Sequence, residues 1–522
     1  MDFQALTKLM DFQALTKLTE QYKNFSIAEQ FQANPKREED FSFQAGPLNV
    51  DLSRNHIDTD WIKAMLKLCT PLDVPKQIQD FFDGAMVNPT EKRSALHPAL
   101  RLDPSAVDAM QTSPIKQSCL QTRAHIKHWC QVLEDGSYKG ASNQSIDHIV
   151  HIGIGGSDLG PRMVTRALEA YYTHKLQIDF VANVDGHEID AVLKKINPHR
   201  TLFIVVSKTF STEETLLNAT IAKQFLQTAL ETEDVSRHFI AVSNNIQASK
   251  AFGIPAAHCI AMDENIGGRY SLWSGVGLSI ALAIGLENYQ DFLHGAHLMD
   301  KHFQTAPLQE NVPFLMALVH IWYLNGFAAP SRAILPYDSR LQFFPNFLQQ
   351  LLMESLGKSV NKNGQKLSYP VGGIIFGDVG SNAQHAFMQL VHQSQDWVPV
   401  DFIIAQTPHH DFASSHASLM AHLKGQRQAL VKGRSLDESK RELEERGLDS
   451  KDQEYLAAHL YIPGNKPSTT IMLETLDPMH LGALIALYEH QTFSLSVLWD
   501  INAFDQFGVE LGKACRKAYS KA

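Results

Sequence analysis

Hydroxyl side chains crowd the point where an apolar run passes into a helical pattern, in VVSKTFSTEETLLNA at 205–219. The hydroxyls come from Ser207, Thr209, Ser211, Thr212 and Thr215. The free N–H groups and the dipole of a helix that begins here favour an anion. With Lys208 among them, the hydroxyls predict a cradle for a phosphate group. Because Ser211 and Glu214 also fit a capping box, a well-capped helix with extra surface hydroxyls is the alternative.

A second segment has the same layout of strand, loop and helix, and it reads HIVHIGIGGSDLGPRMV at 148–164. It contains Gly153 and Gly155, but Asp158 stands at the third position of a GxGxxG pattern, so a dinucleotide site is only weakly indicated. Glycines let a backbone approach an anion closely, and Ser157 adds a hydroxyl. Two such loops at the carboxyl ends of parallel strands would meet where open α/β sheets bind ligands.

The composition limits the class of partner. The chain has 522 residues, of which 44% are hydrophobic and 20% charged, as in an ordinary globular protein. This length predicts two or three domains, each with its own core. The net charge is −10 and no long basic run exists, which argues against nucleic acid or an acidic membrane surface as the main partner. An anionic small substrate would need a local positive pocket.

The cysteines and the apolar runs indicate a reduced, cytoplasmic protein. The five cysteines are an odd number without a CxxC pair or a metal-ligand spacing. No apolar stretch reaches the ~18–20 residues of a membrane span. The longest, GVGLSIALAIGL at 275–286, predicts a buried core helix. The N-terminus shows no signal-peptide pattern. Its first nine residues, MDFQALTKL, recur at 10–18, which indicates a duplicated start with Met10 as the true one.

Strand patterns alternate with helical patterns from about residue 146. The apolar runs are IDHIVHIGI, IDFVANV, TLFIVVS, HFIAVS and HCIAM, and the signature returns at 370–380 and 397–407. This alternation predicts an α/β fold, with parallel sheets flanked by helices. We expect four parts: an N-terminal helical arm at 1–45, a first and smaller α/β domain at 115–285, a second and larger one built from 46–114 with 286–498, and a C-terminal helical segment at 499–522.

Four histidines and Asp411 fall within HHDFASSHASLMAH at 409–422. Histidine is a common metal ligand, so a metal site is one interpretation. A solvated, polar helix start is the other, and it is favoured because the histidines lack a regular ligand spacing.

The chain resembles the phosphoglucose isomerase family of the sugar-isomerase fold. The matching motifs run in family order, and they are GIGGSDLGP (153–161), SKTFSTEET (207–215), GGRYSLWS (267–274), LLMESLGK (351–358), GDVGSNAQHAF (377–387) and WDINAFDQFGVELGK (499–513). The resemblance covers nearly the whole chain after about residue 45. It implies two sugar-isomerase-type α/β domains.

A few positions depart from the pattern of the family. Leu351-Leu352 stands where the family usually has Gly-Asp, and Asp378-Val379 replaces Glu-Pro. Ala383 replaces a glycine, and Glu213 replaces a glutamine. None of these changes removes a reactive group, but Glu213 adds a negative charge near the presumed phosphate.

The resemblance implies reversible isomerisation of glucose 6-phosphate and fructose 6-phosphate, in glycolysis and gluconeogenesis. The implied catalytic residues are Glu354 as the base at C2, Arg269 at the enediolate, and His385 with Lys513 in ring opening. The implied substrate-binding residues are Gly156, Ser157, Ser207, Lys208, Thr209, Thr212, Gly268, Gln350 and Gln506. The chemistry requires no metal and no cofactor.

The residue types and spacings are compatible with these roles. Glu354 follows Gln350 by four residues, which places both on one helix face. Lys513 follows Gln506 by seven, which is two helical turns. A guanidinium such as that of Arg269 stays protonated and presents fixed donors to an oxyanion. For His385, an N-cap three residues earlier, at Asn382, would place the imidazole in a first turn, where the helix dipole favours its neutral form.

The family is typically a homodimer in which this histidine reaches the partner's site, and we expect the same of His385. Three other readings stay open at this point. The first is a nucleotide-dependent oxidoreductase, against which the broken glycine pattern counts. The second is a sugar-phosphate-binding regulator that has lost catalysis, against which the joint presence of Glu354, Arg269, His385 and Lys513 counts. The third is an additional epimerisation of mannose 6-phosphate.

Overall fold

A computed structural model describes residues 10–103 and 114–519. The duplicated start at 1–9 lies outside the described residues. Within the described part the chain forms eleven strands. In chain order they are β1 (Ser42–Ala45), β2 (Leu48–Arg54), β3 (His148–Ile152), β4 (Gln177–Val181), β5 (Thr201–Val206), β6 (Phe239–Val242), β7 (Cys259–Ile260), β8 (Ser331–Pro336), β9 (Ile374–Gly377), β10 (Val400–Thr407) and β11 (Ser468–Thr475).

The helices alternate with these strands. The α-helices of the described residues are Phe12–Tyr22, Ile27–Ala33, Arg37–Asp40, Thr59–Cys69, Val74–Phe82, Pro114–Glu134, Leu159–Ala167, Gly186–Leu193, Glu213–Leu230, Ile246–Phe252, Leu278–Ile284, Leu286–Thr305, Val312–Ile321, Phe344–Leu348, Gly380–Ala386, Met388–Gln393, Ala413–Lys432, Leu436–Glu445, Ser450–Leu460, Pro478–Leu498 and Glu510–Tyr519. Two further segments of the described residues, Trp322–Gly326 and Gln349–Glu354, are π-helical.

The chain divides into two compact units. The first contains the residues up to Lys76, Thr305–Leu476 and His490–Ile501. The second contains Gln77–Gln304, Asp477–Glu489 and the residues from Asn502 onward. Each unit has one sheet, so the expected α/β architecture with parallel sheets and flanking helices is confirmed.

The sheet of the second unit has five strands in the order β4-β3-β5-β6-β7, and every pairing is parallel. β5 and β6 read as nearly continuous apolar runs because helices cover both faces of the sheet. All six residues of β5 are buried. One face packs on a core that includes Phe203, Val205 and Phe239 together with Ala219 and Leu226 of the helix after β5. Parallel pairing aligns the carboxyl ends of the strands at one edge.

The sheet of the first unit has six strands in the order β1-β2-β11-β10-β8-β9. The four strands from β11 to β9 are parallel, whereas β1 and β2 pair antiparallel and extend the edge beyond β11. Its core contains Leu335, Phe402 and Ile404 of the central strands with Ala383 and Met388 from the two short helices after β9.

The apolar stretch at 275–286 forms the helix Leu278–Ile284, and every residue of that helix is buried. The predicted core helix is therefore confirmed. Among the described residues, no helix has both the length and the apolar character needed to cross a membrane.

Candidate active site

The two loops singled out in the sequence begin side by side in the second unit. β3 and β5 are neighbours in the sheet, and Ile152 pairs with Val205 at their carboxyl ends. We call the segment Gly153–Asp158 the glycine loop and the segment Ser207–Thr212 the hydroxyl loop. Parallel pairing delivers both loops to the same edge of the sheet, where open α/β sheets bind ligands.

The hydroxyls of the hydroxyl loop bond to one another, and the N-cap residue of the following helix makes no capping bond. The following helix begins at Glu213 with Thr212 as its N-cap, and Thr212 makes no side-chain capping bond in the described structure. Ser207 Oγ donates instead to Thr212 Oγ1 at 3.2 Å, and the oxygens of Thr209 and Ser211 lie 2.6 Å apart. The predicted capping box of Ser211 and Glu214 is therefore wrong. Hydroxyls that do not cap the helix leave its first N–H groups open to an anion.

A strained residue holds the hydroxyl loop in shape. Phe210 has a φ of 49°, which is uncommon for a residue with a bulky side chain. Its ring is buried in the core of the second unit and meets the ring of Phe252 edge-on. The backbone on either side is bonded as well, because Asn244 N donates to Lys208 O at 2.8 Å and Asn245 Nδ2 donates to Thr209 O at 3.2 Å. Burial of Phe210 thus stabilises a backbone turn in which Thr209 and Ser211 are exposed, whereas Ser207 is buried.

The cation of the hydroxyl loop is bonded to a third loop, Glu264–Arg269, which we call the arginine loop. Lys208 Nζ donates to Glu264 O at 3.1 Å and to Ile266 O at 2.9 Å. Burial lowers the pKa of Lys208 from its ordinary value. Its ammonium therefore links the hydroxyl loop to the arginine loop, and its positive charge lies near the hydroxyls.

The backbone of the glycine loop lies directly against the backbone of the arginine loop at Gly156. A Cβ added to Gly156 would lie 2.1 Å from the carbonyl oxygen of Gly268. Because no side chain fits there, residue 156 must be glycine for the two loops to approach. Gly156, Ser157 and Gly268, all predicted from the motifs, therefore lie in one neighbourhood of the second unit.

A buried histidine that the sequence analysis missed fixes the glycine loop. His151 Nε2 lies 2.6 Å from Ser157 O, and its Nδ1 lies 3.0 Å from Ser279 Oγ. Since a carbonyl oxygen can only accept, Nε2 carries the proton and Nδ1 accepts from the serine. Complete burial lowers the pKa of His151 to about 4, so the imidazole is neutral. The available signal was a second histidine, after His148, inside a short strand whose other residues are apolar.

Arg269 is almost completely buried, and the segment Asn502–Gln506 supplies its partners. One terminal nitrogen donates to Ala503 O at 2.6 Å and to Asp505 O at 3.0 Å. The other donates to Gln506 Oε1 at 2.8 Å. The structure thus brings together Arg269 and Gln506, which were predicted from motifs more than 230 residues apart.

Lys513 lies in the helix Glu510–Tyr519, but its side chain is outside the described part of the structure. The same helix contains Arg516, which forms an ion pair with Glu213 at the start of the helix after the hydroxyl loop. The charge that Glu213 adds relative to the family pattern therefore has a basic partner.

Glu354 and Gln350 lie together in the first unit, on the π-helical segment Gln349–Glu354. Gln350 Nε2 donates to Glu354 Oε2 at 3.0 Å, and Glu354 is half-buried. π-Helical turns occur frequently at functional sites. The departures Leu351 and Leu352 are both buried in the core, so these apolar replacements pack inward and leave the carboxylate in place.

His385 is exposed in the last turn of the helix Gly380–Ala386, whose N-cap is Val379. The prediction that Asn382 caps this helix is wrong, because the helix begins two residues earlier. The argument from the positive end of the dipole fails with it, because His385 lies in the last turn of the helix and not in the first. Ala383, the replacement for a family glycine, is buried in the core of the first unit.

His409 and His416, two of the four histidines at 409–422, make hydrogen bonds with other residues of the first unit. His409 Nε2 and Thr475 Oγ1 lie 2.9 Å apart, and His416 Nε2 donates to Gln406 O at 2.8 Å. Among the described residues, no group of three or more histidine, cysteine, aspartate or glutamate side chains is arranged to hold a metal ion.

Known proteins resemble this chain over almost its whole length. The family model that matches residues 51–521 is described as phosphoglucose isomerase. The chain is 44% identical over 501 residues to glucose-6-phosphate isomerase of Francisella tularensis subsp. tularensis (strain FSC 198), covering 96% of this chain and 93% of that one. It is 43% identical over 498 residues to the enzyme of the same name from Francisella philomiragia, covering 95% and 92%. The crystal structure of a glucose-6-phosphate isomerase from Chlamydia trachomatis superposes with a TM-score of 0.85 at 28% identity, covering 98% of this chain and 96% of that one.

Proposed function

The chain belongs to the phosphoglucose isomerase family, and from this premise we propose that it is an enzyme that interconverts glucose 6-phosphate and fructose 6-phosphate. The observation that carries the proposal is the match over residues 51–521, within which each reacting side-chain type stands on its motif. The assignment of individual roles below is a proposal that rests on the geometry of each unit.

The phosphate is bound by the hydroxyl loop. Ser207, Thr209 and Thr212 offer hydroxyl donors, and the uncapped start of the helix Glu213–Leu230 offers N–H groups. Ser157 of the glycine loop adds a donor. Lys208 contributes its backbone and a nearby positive charge. This set suits a dianion, because charge-assisted bonds from several fixed donors replace its hydration shell.

Glu354 is the general base. In the open-chain aldose its carboxylate takes the proton from C2, and the C2–H electrons form a double bond to C1 while the C1 oxygen becomes an oxyanion. A proton passes from the C2 hydroxyl to that oxygen, and Glu354 returns its proton to C1, which leaves a ketone at C2. Gln350, whose amide already contacts the carboxylate at 3.0 Å, orients the base and the substrate hydroxyls.

Arg269 stabilises the negative charge that develops on the two oxygens. Its guanidinium is fixed by three acceptors before the substrate arrives, which is the preorganisation that oxyanion stabilisation requires. Gln506 contacts the substrate beside it, and Gly268 leaves room for the sugar. The reaction moves protons and electron pairs within one substrate and has no net redox change, so no step calls for a redox cofactor.

Ring opening is assigned to His385 and Lys513. It moves a proton from the C1 hydroxyl to the ring oxygen, and an imidazole is suited to such transfers near neutral pH. We further propose a homodimer in which His385 acts at the substrate bound by the partner subunit. The exposure of His385 at the end of a short helix supports this role.

We place the enzyme in the cytoplasm, acting in glycolysis and gluconeogenesis. All five cysteines are free, and four of them are buried. Unpaired cysteines suit a reducing compartment.

The direct test is turnover of fructose 6-phosphate by the purified chain, coupled to added glucose-6-phosphate dehydrogenase. We expect steady production of glucose 6-phosphate, and the absence of turnover would refute the proposal. Mannose 6-phosphate in the same assay tests the additional epimerisation.

A mixing experiment tests the shared site. Glu354→Gln and His385→Ala homodimers should each be nearly inactive. Random exchange of their subunits should restore about a quarter of the wild-type activity, because half of the dimers are mixed and one of the two sites in each is intact. If His385 acts on the substrate of its own subunit, mixing restores nothing.

A further inference from the structure

One short segment of the second unit sets the orientation of Arg269. The carbonyl oxygens of Ala503 and Asp505 and the side-chain oxygen of Gln506 all accept from its guanidinium. Three acceptors fix both the position and the plane of a fork of N–H donors. A displacement of the segment Asn502–Gln506 would therefore displace the charge of Arg269 with it.

Polar side chains hold that segment from the other side. The carboxylate of Asp505 accepts from Thr90 Oγ1 at 2.8 Å and from Asn502 Nδ2 at 2.8 Å. The same amide of Asn502 also donates to Asn88 Oδ1 at 2.9 Å. Its oxygen accepts from Phe504 N at 2.9 Å, which closes a local turn inside the segment. Asp505 thus links a turn at residues 88–90 to the acceptors of Arg269.

The apolar side of the segment is fixed as well. The ring of Phe504 lies 5.4 Å from that of Tyr270, the residue after Arg269, and 6.3 Å from that of Phe81. Asn88, Asn502 and Asp505 are each no more than 6% exposed. Buried polar groups are costly to leave unpaired, so this arrangement has one strongly preferred geometry.

We propose that Asn88, Thr90, Asn502 and Asp505 form a positioning network for Arg269, and that none of them touches the substrate. The inference rests on the proposed function, in which Arg269 stabilises the enediolate. The network acts on the transition state through the orientation of the guanidinium. Substrate affinity depends mainly on the phosphate donors of the hydroxyl loop, which the network does not contact in the described structure.

This division predicts a specific kinetic signature. A misplacement of about 1 Å at a reacting group can cost on the order of 10² in turnover. Loss of the network should therefore lower kcat while leaving KM for fructose 6-phosphate within about twofold, since an interaction made only in the transition state is lost. A simple loss of folded protein would lower the active fraction and leave the kcat of each folded molecule unchanged.

Thr90 offers the sharpest test because it is exposed and its replacement disturbs no core. Thr90→Val removes the hydroxyl at constant shape, and we expect a roughly tenfold loss of kcat at unchanged KM. Thr90→Ser retains the hydroxyl and should restore kcat to nearly the wild-type value. Asp505→Ala, which removes the acceptor that Thr90 and Asn502 share, should lose on the order of 10² in kcat.

A double-mutant cycle tests whether the network acts through Arg269. In an Arg269→Lys background, Thr90→Val should cause no further loss of kcat, because the oriented guanidinium is already absent. The affinity of sorbitol 6-phosphate, which has no carbonyl group to become an enediolate, should stay unchanged in Thr90→Val and Thr90→Ser.

The possible outcomes distinguish a failure of the positioning network from a failure of the proposed function. If Arg269→Lys lowers kcat but Thr90→Val does not, or if the two losses multiply independently, the positioning network is refuted while the proposed function stands. If the wild-type chain does not convert fructose 6-phosphate, or if Arg269→Lys leaves kcat intact, the role of Arg269 is refuted and the network role with it.

Discussion

The two sets of candidate residues are built in different ways. In the second unit the glycine loop, the hydroxyl loop and Arg269 are held by a buried histidine, a lysine bonded to two carbonyl oxygens and three acceptors on one segment. In the first unit Glu354 is half-buried on a π-helical turn and His385 is exposed in a last helical turn. The residues proposed to stabilise charge are locked, whereas Glu354 and His385, which are proposed to move protons, lie on less regular or more accessible backbone.

This contrast has a physical reason. Stabilising a phosphate or an enediolate requires donors that are already oriented, since reorganisation during the reaction would consume the benefit. A general acid or base needs access to the substrate and a protonation state that changes within each turnover. We therefore expect variants of the glycine loop, the hydroxyl loop and Arg269 to affect affinity, stability or charge placement. Variants of Glu354 and His385 should affect proton transfer.

The largest effect is expected from the base. Glu354→Gln keeps the shape of the side chain and removes its basicity, so turnover should fall by about 10²–10⁴ while fructose 6-phosphate still binds. Steady-state kinetics and ligand-detected thermal shifts measure the two properties separately. Glu444→Gln, at an exposed glutamate of the helix Leu436–Glu445, is the matched control and should change neither. Near-normal turnover of the Glu354 variant would refute its assignment as the general base, and with it the contrast between the two units.

The second expected effect concerns pH and the locked histidine. His151 has a folded pKa of about 4 against an ordinary value of 6.5, because burial disfavours its charged form. A depressed pKa means that the neutral imidazole stabilises the fold fully above pH 6.5, and that this contribution is lost as the pH falls toward 4. The loss should amount to about 3 kcal/mol once the pH is below the folded pKa.

Melting temperatures across this pH range test the prediction. The wild-type curve should fall on acidification, and the curve of His151→Gln should fall less steeply, although that variant starts from a lower stability. His174→Gln, at an exposed histidine of the same unit, should leave the slope unchanged. An identical slope for the His151 variant would show that this histidine does not control the acid sensitivity of the glycine loop.

The third effect separates anion binding from helix capping. Ser207→Ala and Thr209→Ala should each weaken the affinity for a phosphorylated sugar about tenfold or more, since a bond to a charged phosphate is worth about 1.5–3 kcal/mol. The melting temperature should change little, because these hydroxyls do not cap the helix. Thr228→Ala, on the exposed face of the same helix, serves as the control. A loss of stability with unchanged affinity would restore the capping interpretation.

Local patterns predicted the elements better than they predicted helix ends. The strand TLFIVV and the buried helix within 275–286 were predictable because apolar periodicity and turn residues determine them directly. The two capping predictions failed although the side chains at 211 and 382 are of capping type. Burial of Phe210 turns the hydroxyl loop, so that the helix after it has Thr212 as its N-cap. The helix after β9 begins at Gly380, two residues before the predicted cap.

Contacts between segments that are distant along the chain could not be predicted from the spacing of residues in the sequence. The resemblance predicted both Arg269 and Gln506, yet no pattern relates Thr90 to Asp505, which are 415 residues apart along the chain. His151 was hidden for a different reason, because a polar residue in an apolar strand shows its role only when its partners Ser157 and Ser279 are known. Side chains that act through other side chains are therefore the class that sequence reasoning misses here.

The smallest expected effect concerns an exposed ion pair at the surface of the second unit. The ion pair of Glu213 with Arg516 is solvent-exposed, and such pairs contribute at most about 1 kcal/mol. Arg516→Ala should leave the melting temperature nearly unchanged. It exposes the negative charge of Glu213 near the hydroxyl loop, however, so KM for fructose 6-phosphate should rise by no more than about fivefold. The rise should shrink at high ionic strength, because salt screens exposed charges.

Glu213→Gln, which restores the residue usual in the family, should reverse the effect in the Arg516→Ala background. A rise in KM that persists in the double variant would assign Arg516 a contact of its own, and an unchanged KM in the single variant would show that the charge of Glu213 does not reach the bound phosphate.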